Sequence, residues 1–274
     1  MSNELNGQYQ GFLNTPEIFL PDYKGFNIFD TANLNPNGNP VINVPNNIRF
    51  GQRMEYFMEA ALNSSDRYEI IAKNLQIIHE KKTIGELDFL IKDKESQKHI
   101  HLELVYKFYL FDPGYNEKPI NCWIGPNRKD TLRAKVDKLT KHQLPILYRP
   151  ETQPYLQKLE IQSLEFEQQV CFKGQLFIPY QDGLKFNGAN LNSWAVLGTY
   201  SSLQDFIKIY NKESHFYIPK KIDWVLDPKN FLGSWHSFSE IESLLQNSIK
   251  KKQSVFCWEK AEGNEFRRFF VTWW

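Results

Sequence analysis

The sequence predicts an α/β protein. The expected order is one helix, three strands, a second helix and a further strand, followed by a C-terminal α/β extension. Three observations carry this. Residues 85–108 alternate apolar and polar side chains on both sides of a polar turn, the period-two pattern of a hairpin. Two stretches with helical apolar spacing flank that hairpin, at 48–62 and 130–142. Hydrophobic residues at 41% and aromatics at 15% supply enough apolar surface for a folded core in a 274-residue chain.

Element by element, residues 1–47 read as a loop-rich segment, because 33–46 (NLNPNGNPVINVPN) is dense in Asn, Pro and Gly. A helix is predicted over 48–62, with Met54, Phe57, Met58, Ala61 and Leu62 on its apolar arc. Glu55 borders that arc and Glu59 points farther outward. Tyr68, Ile70 and Ala72, then Leu75, Ile77 and His79, alternate along a strand over 68–79. The hairpin follows. Residues 130–142 form an amphipathic helix with Leu132, Val136 and Leu139 on one side and mostly lysine on the other. A strand over 170–179 completes a core spanning 48–180. In the extension, 181–274, strands are predicted at 192–200, 215–226, 254–260 and 266–274. Helices are predicted at 201–210 and 239–250, with Ser239 and Glu242 as a capping box.

The hairpin carries the chemistry. Leu87, Phe89 and Ile91 share one face with Ile100, Leu102, Leu104, Tyr106 and Phe108. The other face holds Glu86, Asp88, His99, His101, Glu103 and Lys107. A turn centred between Glu95 and Ser96 sets Asp88 opposite Glu103, and opposed residues in an antiparallel pair have Cβ atoms about 4.5–5.5 Å apart. Two carboxylates that close repel unless a proton or a cation lies between them. The bland alternative is an exposed polar face of an edge hairpin, which alternating strands produce routinely.

Gly85-Glu86-Leu87-Asp88-Phe89, followed by Glu103 on the next strand, resembles the PD-(D/E)XK nuclease superfamily in its Gly-x-x-Asp variant. That pattern puts lysine two residues after the second acid, where this chain has Val105. The first lysine is Lys107, about 6.6 Å farther along the same face at a rise near 3.3 Å per residue. More narrowly, HLELVYKFYL followed by WIGPNRKDTLRAKVDKLTKHQL resembles an uncharacterised bacterial family, DUF1853, over residues 49–144.

The superfamily resemblance implies a restriction-endonuclease-like core, α-β-β-β-α-β, with a mixed sheet flanked by helices. It implies metal-dependent phosphodiester hydrolysis on nucleic acid, DNA foremost. Asp88 and Glu103 would hold Mg²⁺ or Mn²⁺, Glu55 would add a carboxylate, and Lys107 would stabilise transition-state charge. Glu86 and His101 would support these residues. Arg128, Lys129, Arg133 and Lys135 would form a basic rim, with Lys138 and Lys141 beyond. The shifted lysine favours an alternative, a catalytically inactive nuclease-like fold that binds nucleic acid or protein. A hydrolase of nucleotides or other phosphoesters is a third class.

Composition limits the field. The net charge of +1 excludes neither nucleic acid nor another partner, because a hydrolase needs only a local basic rim. Lys250–Lys252 reads as a solvated helix end. Cys122, Cys171 and Cys257, odd in number and far apart, fit free thiols of a cytoplasmic protein. No apolar run is long enough for a membrane span, and no signal peptide is expected at the N-terminus. His99-x-His101 invites a zinc reading, yet no motif supplies further ligands. Gly125-Pro126-Asn127 is a turn and not a phosphate loop, and the chain has no Rossmann fingerprint or nucleophile elbow.

Overall fold

A computed structural model describes residues 3–34, 40, 42–162, 165–180 and 190–274. The middle of the Asn-rich stretch and the start of the C-terminal extension, 35–39, 41 and 181–189, lie outside them. The chain is α/β, with a large mixed sheet flanked by helices. In chain order the elements are α1 (Asn3–Asn14), β1 (Asn27–Ile28), α2 (Phe50–Asn63), β2 (Tyr68–His79), β3 (Lys82–Asp93), β4 (Lys98–Phe111), β5 (Trp123–Ile124), α3 (Leu132–Lys138), α4 (Gln153–Lys158) and β6 (Phe166–Pro179). Then come β7 (Val196–Ser202), α5 (Leu203–Ile209), β8 (His215–Tyr217), α6 (Phe238–Lys250), β9 (Val255–Lys260) and β10 (Phe266–Thr272). No helix among the described residues is long and apolar enough to cross a membrane. The three cysteines are buried and free.

The fold divides into two compact units, with divisions after Ile18 and within β4, α3 and β6. The first unit comprises Phe19–Tyr106 and Ala134–Lys173. Its strands lie in the order β2-β3-β4-β6, with β1 parallel to β6. Helix α2 begins at Phe50, two residues later than predicted, because Asn47 takes φ +64° and the chain is still extended at Arg49. Its arc buries Met54, Phe57, Met58, Ala61 and Leu62. Strands β2 and β3 pair antiparallel along most of their length. The β3–β4 register runs from Phe89↔Leu102 to Asp93↔Lys98, so the turn centres between Glu95 and Ser96.

Asp93 fixes that turn. Its carboxylate accepts Glu95 N at 3.0 Å, and Arg67 grips both of its oxygens, at 3.1 and 2.7 Å. Ile77, Leu87, Leu90, Ile146, Leu147, Leu156 and Phe166 form one core cluster of this unit.

The second unit comprises Ser2–Ile18, Lys107–Arg133 and Gly174–Trp274. Here β7 lies between β6 and β10, parallel to both, and β10, β9 and β8 continue antiparallel. Helices α5 and α6 contribute Phe206, Phe238, Ile241 and Leu245 to a core cluster with Cys257 and Phe269.

Four sequence expectations need correction. The N-terminal segment begins with a helix, α1, where loop was expected: Tyr9 and Phe12 are buried, and Gly11 permits close approach, since a Cβ there would sit 2.0 Å from Val225 O. The strand expected over 215–226 stops at Tyr217 and gives way to a 3₁₀ turn over Lys221–Asp223, consistent with Pro219, which has no N–H for a ladder. The capping box of α6 is Ser237 with Glu240, two residues earlier than Ser239 with Glu242. The second core helix is also shorter than 130–142. After Lys138 it widens into a π turn over Leu139–Gln143 and then tightens to 3₁₀ over Leu144–Tyr148.

Candidate metal centre

The first unit assembles the site. Phe89↔Leu102 is the last regular pair of the β3–β4 ladder on this side, and continuing its register brings Asp88 to Glu103. There the side chain replaces the backbone partner. Asp88 Oδ2 accepts the Leu104 N–H at 2.9 Å. Asp88 Oδ1 has no hydrogen-bond partner among the described residues.

Glu103 is fully buried, as is His101 beside it. The amide of Gln168 donates to His101 Nδ1 at 3.0 Å and is oriented by its bond to Leu144 O at 2.6 Å. The ring proton therefore sits on Nε2, which donates to Glu103 Oε1 at 3.0 Å. Burial lowers the His101 pKa to about 4, partly offset by the charge of Asp88, so the imidazole is neutral at neutral pH.

Glu103 Oε2 accepts Gln143 Nε2 at 2.6 Å, and Lys135 Nζ donates to Gln143 Oε1 at 2.8 Å. The π turn, a feature that recurs at functional sites, carries Gln143 to this position. Lys135, Gln143 and Glu103 thus form a chain from a half-exposed ammonium to a buried carboxylate.

The electrostatics are dominated by desolvated negative charge. Burial raises the Asp88 carboxyl well above its usual range, and the charges of Glu103 and Glu55 push it the same way. The Leu104 N–H and Lys135 act in the opposite direction. Burial also raises Glu103, against the charge of Lys135 and hydrogen bonds from Asp88 N–H and Gln143, while Glu86 adds to the rise. Glu55 is raised by burial, eased by a hydrogen bond from Asn74 and raised again by Glu86. Four carboxylates thus influence one another, and the positive charge of Lys135 acts on both central acids.

The other residues singled out from sequence fall as follows. Glu55 on α2 accepts Asn74 Nδ2 at 2.7 Å, whereas Glu59 pairs with Lys73. Glu86 accepts the same Asn74 amide at 3.2 Å. His99 lies 3.8 Å from Glu165. Lys107, Arg128, Lys129 and Arg133 belong to the second unit. There Lys107 Nζ donates to Asp130 at 2.8 Å. Arg128 pairs with Asp112 at 2.9 Å and lies over the Trp274 ring, while Lys129 and Arg133 are exposed. Sequence reading missed Gln143, Gln168 and Asn74, which belong to no spacing motif, and counted Lys135 only as rim.

Among the described residues no group of three or more His, Cys, Asp or Glu side chains is arranged to hold a metal ion. The donor set nevertheless fits one class of cation. Asp88 and Glu103 offer only oxygen, one of those oxygens has no partner among the described residues, and negative charge is concentrated locally. Mg²⁺ is held by one or two carboxylates with its remaining positions on water or phosphate. Zinc needs about four N, S or O ligands at close range.

The model of a family described as a domain of unknown function (DUF1853) matches residues 28–272. The chain belongs to this family. No curated protein and no solved structure matches it. The DUF1853 match takes in every carboxylate, amide and lysine of the site and leaves α1 outside.

Proposed function

We propose that this DUF1853 protein is a metal-dependent phosphodiesterase acting on nucleic acid, DNA foremost, with a core related to the PD-(D/E)XK nucleases. The observation that carries the reading is the opposition of Asp88 to a fully buried Glu103, with burial disfavouring the charged form of each and the charge of Glu103 adding to the rise of Asp88. A carboxylate pair in that setting needs a proton or a cation, and an all-oxygen donor set suits Mg²⁺ or Mn²⁺. The helix–three strands–helix order around the pair supports the kinship.

In this reading Asp88 and Glu103 hold the cation. Bound there, it would make a coordinated water more acidic and polarise a phosphate oxygen. The protein's own groups do the rest. His101 and Gln143 hold Glu103 in one orientation, each on a separate oxygen. The Leu104 N–H fixes Asp88 Oδ2, and Oδ1 would be the oxygen offered to the cation. Lys135 supplies the positive charge that offsets charge growing on the phosphate, a role the sequence reading assigns to Lys107, two residues past the position of the superfamily lysine. Lys107 is instead engaged with Asp130.

The commitment of Lys107 to Asp130 also supports a second reading, a nuclease-like fold that binds nucleic acid without cleaving it. A cleavage assay on single-stranded DNA, duplex DNA and RNA, with and without Mn²⁺, separates the two. Mn²⁺-dependent cleavage by wild type that is lost in Asp88→Asn is expected. Binding of these substrates with no cleavage under any condition would establish the binding module instead.

A further inference from the structure

Asn74 lies within β2, yet its φ is +48°. Residues other than glycine enter that left-handed region at a cost, asparagine more readily than most, and such positions persist where the surroundings enforce them. The flanking pairs Lys73↔Phe89 and Leu75↔Leu87 set Asn74 across from Asp88. Its single amide nitrogen donates to Glu55 Oε2 at 2.7 Å and to Glu86 Oε1 at 3.2 Å. One carboxylate comes from α2 and the other from β3, and they repel each other.

The chemistry of the clamp is informative. One turn along α2, Glu59 is held by the ammonium of Lys73, which cancels its charge. Glu55 and Glu86 are held by a neutral group, which fixes their position and leaves their negative field intact. That field reaches the central pair: Glu55 acts on Asp88, and Glu86 acts on Glu103. A lysine at position 74 would also hold two carboxylates, but would take that field away.

We infer that Asn74 is a positioning residue whose neutral amide clamps Glu55 and Glu86 beside the Asp88–Glu103 pair, and so sets the affinity of the site for a divalent cation. The inference rests on the cation reading above and adds a residue that the superfamily resemblance does not imply. The cation itself would stay on Asp88 and Glu103. Asn74 acts through the two outer acids.

The test is calorimetric titration of the full chain with Mn²⁺ alone. Asn74→Gly removes the amide while glycine accepts the left-handed backbone without strain. It should weaken Mn²⁺ binding by about tenfold, the lower end of the usual effect of removing a supporting group at a metal site, because Asn74 is solvent-exposed. In a Glu55→Gln, Glu86→Gln background the same change should matter by less than about twofold, since the clamp then has no charges to hold. Asn74→Lys should weaken binding at least as much as Asn74→Gly. Urea unfolding of each variant verifies that the fold is retained.

Mn²⁺ binding by Asn74→Gly equal to wild type, with binding lost in Asp88→Asn, would overturn the role of Asn74 and leave the metal centre standing. Weakening by Asn74→Ala but not by Asn74→Gly would make the effect one of backbone geometry, and also overturn the clamp. Wild type that binds no Mn²⁺ would remove the metal centre and the role of Asn74 together.

Discussion

The turn that brings Asp88 to Glu103 hangs on Asp93, and replacing that residue with asparagine gives a pH-dependent loss whose size follows from the structure. Burial alone would raise the Asp93 carboxyl. Hydrogen bonds from Arg67, Ser96 and Glu95 more than offset that and bring its pKa from the ordinary 3.8 to about 2. A carboxyl depressed in the folded state contributes stability above its unfolded pKa and loses it as pH falls through the folded one. The full conversion of that shift is about 2.5 kcal/mol. Arg67 is more than a quarter exposed, and solvent screening reduces the expectation to about 1–2 kcal/mol at pH 7.

Asp93→Asn keeps the shape and removes the titration. Its deficit against wild type should therefore be nearly constant above pH 5, fall to about half by pH 3, and shrink further near pH 2. Urea unfolding midpoints of both proteins across that range measure it. A deficit that stays constant down to pH 2, or grows in acid, would refute the assignment of this stability to the Asp93 carboxylate.

Three further outcomes are expected. Lys135→Ala should lower Mn²⁺-dependent cleavage by about 10²–10³-fold, the usual effect of removing one transition-state charge stabiliser, while Lys107→Ala should leave the rate near wild type; the reverse order in rate assays would return the role to Lys107. Gly198→Ala should destabilise by roughly 1–3 kcal/mol, because the new Cβ would lie 2.0 Å from Arg268 O across the β7–β10 pair; an unchanged urea midpoint would show that the pair is not so tightly packed. Leu102→Ala, fully buried opposite Phe89, should cost about 2–5 kcal/mol by thermal or chemical unfolding, and a cost under about 1 kcal/mol would contradict the hairpin's place in the core.

The parts of the fold that follow from local periodicity could be read in the sequence. Alternation over 68–79 and 85–108 marked β2 and the hairpin, and the polar turn fixed their register, because a shift of one residue would have put Leu87, Phe89 and Ile91 on the charged face. Elements whose signal is tertiary could not be read. Helix α1 has glycines at 7 and 11 that suggest a loop until the chain they pack against is known. The strand expected after His215 ended early for a local reason, Pro219, that was visible but outweighed by the apolar run.

The site divides in the same way. Asp88, Glu103 and Glu55 stood out through spacing and face, whereas Gln143 reaches Glu103 across 40 positions of sequence through a π turn with no signature. Asn74 lies where the alternation of β2 changes phase, from Tyr68, Ile70 and Ala72 to Leu75, Ile77 and His79, a break that by itself points to no role for the residue. In the sequence Lys135 is one basic residue among many; its hydrogen bond to Gln143 and its charge acting on Asp88 and Glu103 set it apart.

The most direct test of the metal centre is an anomalous-scattering map from crystals of the full chain soaked in Mn²⁺. A single strong peak about 2.0–2.6 Å from a carboxylate oxygen of both Asp88 and Glu103 is expected. A map with no peak there, and with the two carboxyls joined by a shared proton, would contradict the assignment.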